Sequence, residues 1–154
     1  MPEPQRSQPP RPVLNAVKLM YVGAAIEVVA LIVALLARNS IKSALLKLHP
    51  SYTAAQLHTA QNVQVFSLVV GALIATGLWL WMAWANGRGY NWARILSAVF
   101  FGINTLDLLV SFAAVRAPVT LIIGFVIWLA GLAAIVLLFG REASAFFKQP
   151  RAQR

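Results

Sequence analysis

The chain has no cysteine and very little negative charge. Its 154 residues include 4 Asp and Glu against 13 Lys and Arg, and charged residues make up only 11% of the total. Without cysteine, disulfides, cysteine-ligated zinc, thiolate-bound haem and iron–sulfur clusters are excluded. A soluble domain is usually about 25% charged, so this composition does not suit an ordinary water-exposed globular surface.

Long apolar runs occupy the places where charges are missing. Hydrophobic residues make up 60% of the chain, and a helix needs about 20 apolar residues to cross a bilayer. Four runs qualify, at about 14–37, 63–85, 92–115 and 119–140. None alternates with the period of a barrel strand, so the runs predict transmembrane helices. The first run is longer than the apolar region of a signal peptide, and we expect it to be retained.

The runs predict an all-α fold, a polytopic transmembrane four-helix bundle over 13–140. Nine Lys and Arg fall on the side of the runs that holds both termini, and four fall on the other side. Basic residues concentrate on the cytoplasmic side of membrane proteins. We therefore predict a plasma-membrane protein with both termini cytoplasmic. The net charge of +9 then indicates basic tails that contact anionic lipids, and no binding of nucleic acid.

A tight helical hairpin joins the second and third runs on the predicted inner side. In its sequence ANGRGYNWARIL (Ala85–Leu96), the pair Asn86-Gly87 can end one helix with a left-handed residue, and Asn91 can cap the next. Aromatic residues surround this turn, as in the belts that membrane proteins place at the headgroup level. The predicted inner-interface aromatic belt consists of Trp79, Trp81, Trp84, Tyr90 and Trp92.

The first connection is the longest, and it faces the predicted outer side. Residues 39–49 (NSIKSALLKLH) have apolar side chains at helical spacing beside two lysines, which predicts an amphipathic helix on the membrane surface. Thr53 and Gln56 form a capping-box pattern, so a new helix should start there and run into the second span. His49 and His58 flank this turn, and without nearby carboxylates we interpret them as exposed polar residues and predict no metal site.

The two ends of the chain differ from the spans in composition. Residues 1–12 contain five prolines and predict a disordered cytoplasmic tail. Residues 141–154 form a basic cytoplasmic tail. Its first part is amphipathic, with Phe146 and Phe147 beside basic residues, and is expected to lie on the inner leaflet.

Two acidic residues interrupt the apolar runs. Glu27 lies near the middle of the first span, on a face of small residues that should pack against another helix. Asp107 lies on the third span, slightly nearer the outer side, and Asn104 and Ser111 share its helix face. No Lys or Arg lies at the same depth, so at least one of these acids should be protonated at neutral pH, because hydrocarbon disfavours the charged form. Helix two carries a second polar stripe, made of Gln61, Gln64, Ser67 and Gly71.

These polar groups allow two interpretations. The first is a non-enzymatic structural or accessory membrane protein that associates with itself or with other membrane proteins, its acids acting as neutral interhelical hydrogen-bond partners. The alternative is a small proton- or cation-coupled transporter, with a candidate site made of Glu27, Asp107, Asn104 and Ser111. The sequence has no nucleophile–base set, phosphate loop or metalloprotease motif, so we predict no enzyme and no cofactor.

Four stretches of the chain are distinctive as sequence motifs. They are KLMYVGAAIEVVALIVAL, HPSYTAAQLHTA, GLWLWMAWANGRGYNWARILSAVFFGINTL and the basic, aromatic C-terminal tail. Together they resemble a family of small, uncharacterised four-helix membrane proteins of actinobacteria. The resemblance covers Val13 to Lys148 and implies a plasma-membrane protein of the same topology, without an assigned activity. Small multidrug transporters are similar by analogy only, in having four short helices with a carboxylate in the first. The long outer connection departs from their pattern.

Overall fold

A computed structural model describes residues 8–113 and 118–148, and the protein is helical throughout these residues apart from short turns. The helices are α1 (Arg11–Leu36), α2 (Arg38–Leu48), α3 (Ala54–Gly87), α4 (Asn91–Ala113), α5 (Pro118–Leu138) and α6 (Arg141–Lys148). The predicted all-α class is confirmed. Residues 1–7, the end of the predicted third span at 114–115 and the last part of the basic tail at 149–154 lie outside the described residues.

Four of the six helices in the described part, α1, α3, α4 and α5, are long and apolar enough to cross a membrane. This number confirms the four runs found in the sequence. The helix bounds differ by a few residues from the predicted spans. α1 begins at Arg11, inside the predicted proline-rich tail, because Pro12 in the first turn has no N–H to leave unpaired and its fixed φ suits a helix start.

The long α3 begins outside its apolar run, as predicted. Its first turn is closed by a capping box in which the Gln56 N–H donates to Thr53 Oγ1 at 3.3 Å and the Thr53 N–H donates to Gln56 Oε1 at 2.9 Å. The predicted amphipathic segment forms α2, which packs against the start of α3. Gln61 Nε2 donates to the carbonyl of Arg38 at 3.1 Å and joins the two helices.

The turn between α3 and α4 differs from the predicted one by two residues. α3 continues through Gly87, and the left-handed residue is Gly89, with φ 73°. The Tyr90 N–H donates to the Ala85 carbonyl at 3.2 Å and the Gly89 N–H to the Asn86 carbonyl at 2.9 Å. These two bonds form a Schellman motif, which satisfies carbonyls that the end of a helix leaves free. α4 then begins at Asn91.

The spanning helices pack in the order α3–α1–α5–α4, and α3 meets α4 less extensively than α1 meets its two neighbours. The main core lies at what we call the hairpin end, where α3 turns into α4, α1 begins and α5 finishes. The core residues come from four helices and are Val13, Ala16, Met20, Met82, Ala83, Ala134, Leu138, Ala143 and Phe147. Towards the opposite end, which we call the α2 end, most side chains of the spans are exposed or half-buried.

The C-terminal helix α6 belongs to this core. Its amphipathic sequence predicted a position on the inner leaflet, and the structure shows that α6 packs against α1 and α5. Ala143 and Phe147 are buried, and the Phe146 ring lies where a side chain on Gly89 would be. An eight-residue amphipathic helix cannot show from its sequence alone whether its apolar face covers lipid or protein.

Candidate functional site

Three of the four predicted site residues line one small recess between α4 and α5. The recess has a volume of about 80 Å³ and is lined by Asn104, Asp107, Leu108, Ser111, Thr120, Leu121 and Gly124. Ser111 is buried, Asn104 is half-buried and Asp107 is exposed. Gly124 packs beside Leu108, and a Cβ at position 124 would lie 3.5 Å from the Leu108 side chain, an ordinary contact distance. The recess therefore presents a carboxylate, an amide and hydroxyl oxygens to a space the size of a few water molecules.

Glu27, the fourth predicted site residue, does not line this recess. It lies half-buried on the face of α1 that also carries the buried Gly23 and Ala24. The small-residue face of α1 thus packs against another helix, as predicted, with Gly23 beside Trp79 on α3. Since α5 packs against both α1 and α4, it stands between Glu27 and the recess.

The two acids nevertheless lie at similar depths. The Trp79 ring contacts both Gly23 on α1 and Gly131 on α5, and Phe101 on α4 also contacts Gly131, so these residues form one layer. At about 1.5 Å per residue, Glu27 lies about 6 Å beyond this layer towards the α2 end. Asp107 lies about 9 Å beyond it on α4. The acids therefore occupy neighbouring levels on different sides of α5.

Neither acid has a polar partner in the described part of the chain. Within residues 8–113 and 118–148, Glu27 and Asp107 make no hydrogen bond and no ion pair. Threonine and tryptophan form the polar contact that joins α4 and α5 nearby, where Trp128 Nε1 donates to Thr105 Oγ1 at 2.9 Å. At the α2 end, His49 stacks on Tyr52 at 4.5 Å and His58 contacts Asn62 at 3.3 Å.

Four of the five predicted belt residues form a continuous aromatic cluster at the hairpin end. Trp81 contacts Trp92 at 5.4 Å between ring centroids, and Tyr90 lies 5.8 Å from both Trp84 and Trp92. Arg88 sits over Trp84 at 4.3 Å. The fifth residue, Trp79, packs against the core instead.

Asn86 forms a polar centre that the sequence did not reveal. It is fully buried, and its Nδ2 donates to Ser97 Oγ and to the Met82 carbonyl, both at 2.9 Å. The sequence indicated only that Asn86 lies near the end of a helix. No pattern within either helix marks the pair, because their contact depends on how α3 and α4 cross.

Arg94 is a second polar group that the sequence analysis counted only as an inner-side charge. Its guanidinium carbon lies 4.9 Å from the centre of the Phe139 ring and 5.3 Å from that of Phe147. Nη1 donates to Ser144 Oγ at 3.1 Å, while the buried Nε has no partner among the described residues. Arg94 thus connects the first turn of α4 to the end of α5 and to α6.

The fold defines a helical protein with four potential membrane spans, which is the arrangement of a multi-pass membrane protein. In comparisons with models of protein families, with curated proteins and with solved structures, the chain matches none of them.

Proposed function

We propose that the chain is a multi-pass plasma-membrane protein without enzymatic activity, and that it associates with copies of itself or with other membrane proteins through its spanning helices. Both termini would lie in the cytoplasm. The hairpin end carries the Trp81, Trp84, Tyr90 and Trp92 cluster and most of the basic residues. Both features suit the cytoplasmic headgroup region.

One observation carries the proposal of association: polar side chains of the spans lie on the outside of the single chain. Gln64 and Ser67 on α3 are exposed, and Asp107 on α4 is exposed as well. Lipid tails offer no hydrogen bonds, so a polar side chain at this depth gains by facing another helix. Gly71 shares the α3 face with Gln64 and Ser67, and a Cβ there would meet no atom within 4 Å. This face is open to close contact with a second helix.

Single-molecule photobleaching of the labelled protein in vesicles tests self-association directly. We expect more than one bleaching step per particle at low protein density for the wild-type chain. Gly71→Leu should reduce the associated fraction about tenfold, because a leucine would hold the two backbones apart. Gly77→Leu is the matched control, since Gly77 is also open on α3 but points about 120° away. Equal effects of the two variants, or single-step bleaching of the wild type, would contradict self-association through this face.

Glu27, which has no polar partner among the described residues, supports a second candidate function, proton- or cation-coupled transport. An acid inside a span is commonly part of an ion pathway, and Glu27 lies on the packed face of α1 without a described partner. Asp107, Asn104 and Ser111 would form a separate site across α5 in this scheme.

Proton flux into vesicles, followed with a pH-sensitive dye, separates the two functions. If the protein transports, Glu27→Gln should abolish the flux while preserving the shape of the side chain and the stability of the fold. Glu142→Gln is the control, because Glu142 is exposed on α6 outside the spans. Wild-type flux no greater than that of empty vesicles would contradict proton transport, and the same assay with a cation-sensitive dye then tests cation transport.

A further inference from the structure

At the hairpin end, the guanidinium of Arg94 is fixed by three parts of the fold. It stands in the first turn of α4, lies over the rings of Phe139 and Phe147, and donates from Nη1 to Ser144 Oγ on α6. Such a side chain has lost most of its rotational freedom before any ligand arrives. A preorganised guanidinium binds an anion at a lower entropic cost than a mobile surface arginine.

No acidic side chain of the described residues pairs with Arg94, and the first turn of α4 contains no acid. The positive end of the α4 helix dipole adds to its charge. The described hairpin end has one exposed acid, Glu142, against six bases, which are Arg11, Lys18, Arg88, Arg94, Arg141 and Lys148. The hairpin end is therefore positively charged and attracts anions from outside the chain.

Arg94 also keeps the donors that such an anion requires. A guanidinium has five N–H groups. One donates to Ser144, and the one on Nε is buried without a partner in the described part of the chain. Three N–H groups remain, and the side chain is only partly buried. Their planar arrangement matches two oxygens of a phosphate group.

We propose that Arg94 binds the phosphate of an anionic phospholipid at the surface of α4, α5 and α6. The inference rests on the proposed membrane insertion, which places the aromatic cluster around Trp92 at the headgroup level, two residues from Arg94. Exposed apolar side chains on the same helices, Ile95 on α4 and Val136 on α5, provide a surface for the acyl chains. The phosphate of a lipid matches the charge of Arg94 and its acyl chains match the apolar side chains, whereas a free phosphate matches only the charge.

Native mass spectrometry of the full-length protein, released from phosphatidylcholine vesicles with and without phosphatidylglycerol, tests this proposal. We expect the wild-type chain to retain phosphatidylglycerol in preference to phosphatidylcholine. Arg94→Gln should weaken this binding about tenfold, as expected for the loss of charge-assisted hydrogen bonds. Arg94→Lys should weaken it less, because it keeps the charge without the planar donors. Arg88→Gln is the matched control, since Arg88 lies exposed over Trp84 at the same end, and it should bind nearly as the wild type does.

Several outcomes would overturn the proposal. Equal losses for the Arg94 and Arg88 variants would show a diffuse surface charge instead of a site. Competition by millimolar inorganic phosphate, with the same dependence on Arg94, would show a site for free anions. Absence of any phosphatidylglycerol preference in a protein that enters vesicles would reject the lipid site alone. Failure of the wild type to enter phosphatidylcholine vesicles would instead reject the proposed membrane insertion on which the lipid site rests.

If Arg94→Gln does not fold, Ser144→Ala provides a second test. This variant keeps the charge of Arg94 but removes the hydroxyl that accepts a hydrogen bond from its guanidinium. Unchanged lipid binding in Ser144→Ala would contradict a fixed guanidinium.

Discussion

Among the described residues, Asn86 is the most deeply buried polar side chain. Its amide nitrogen has two strong acceptors, Ser97 Oγ and the Met82 carbonyl, and lies 3.9 Å from Met20 Sδ. Its Oδ1 is buried without a hydrogen-bond partner in the described part. The side chain is therefore held through its donor side, and only an amide supplies that donor at this size and shape.

Asn86→Asp tests this assignment. The new carboxylate would place an oxygen against the Met82 carbonyl and bury a charge without a cation, so we expect a loss of about 3 kcal/mol in unfolding free energy. Unfolding of the purified protein in mixed detergent micelles measures the loss. Asn91→Asp makes the same chemical change at an exposed position and should alter stability by less than about 0.5 kcal/mol. A comparable loss in both variants would mean that the Asn86 donor is unimportant.

At the scale of the elements, the turn between α3 and α4 depends on one backbone conformation. Gly89 has φ 73°, in the left-handed region that residues with a Cβ avoid. A Cβ at this position would also lie 2.8 Å from the ring of Phe146. Both the turn and the docking of α6 therefore favour a residue without a Cβ at position 89.

Gly89→Ala should destabilise the protein by about 2 kcal/mol, through backbone strain and displacement of the Phe146 ring. Gly87→Ala is the control two residues earlier. It lies within α3, where its Cβ would meet only Val17 at 3.6 Å, an ordinary contact. Alanine is a better helix former than glycine, so this variant should be as stable as the wild type or up to about 1 kcal/mol more stable. Equal unfolding midpoints for the two variants would show that the left-handed turn is dispensable.

At the scale of the whole molecule, packing is uneven along the length of the helices. The main core gathers α1, α3, α5 and α6 at the hairpin end. Towards the α2 end, large side chains such as Phe66, Leu106 and Ile122 are exposed. In a bilayer these side chains meet lipid or another protein, so the stability of this half depends on its surroundings more than that of the hairpin end does.

The proposed orientation predicts which surfaces a membrane-impermeant maleimide can reach. Because the chain has no cysteine, each introduced cysteine is its only thiol. Ser51→Cys, exposed at the α2 end, should react in intact cells, and Asn91→Cys, exposed at the hairpin end, should react only in inverted vesicles. Val70→Cys in the middle of α3 is exposed in the single chain, but lipid should protect it in both preparations. Labelling of Asn91→Cys in intact cells would show that the hairpin end faces outwards, opposite to the proposed orientation.

The sequence predicted what depends on local patterns. Apolar runs revealed the four long helices, and Thr53 with Gln56 revealed the start of α3, because both signals lie within one segment. The burial of Asn86, the packing of Trp79 between Gly23 and Gly131, and the docking of α6 remained hidden, because each depends on how separate helices meet. The candidate site was predicted only in part. Asn104, Asp107 and Ser111 share one face of a single helix, so their spacing in the sequence predicts that they lie together. The position of Glu27 relative to them depends on which helices pack side by side, and the sequence does not show this.

The unbroken length of α3 has a mechanical consequence. Its 34 residues contain no proline and span about 50 Å, well beyond the hydrocarbon thickness of about 30 Å. One end is joined to α2 through Gln61, and the other carries Asn86 and the turn. A continuous helix is stiff compared with a jointed chain. If α3 crosses a bilayer, a tilt of the helix at its Thr53 end would therefore displace the Gly89 turn at the opposite end.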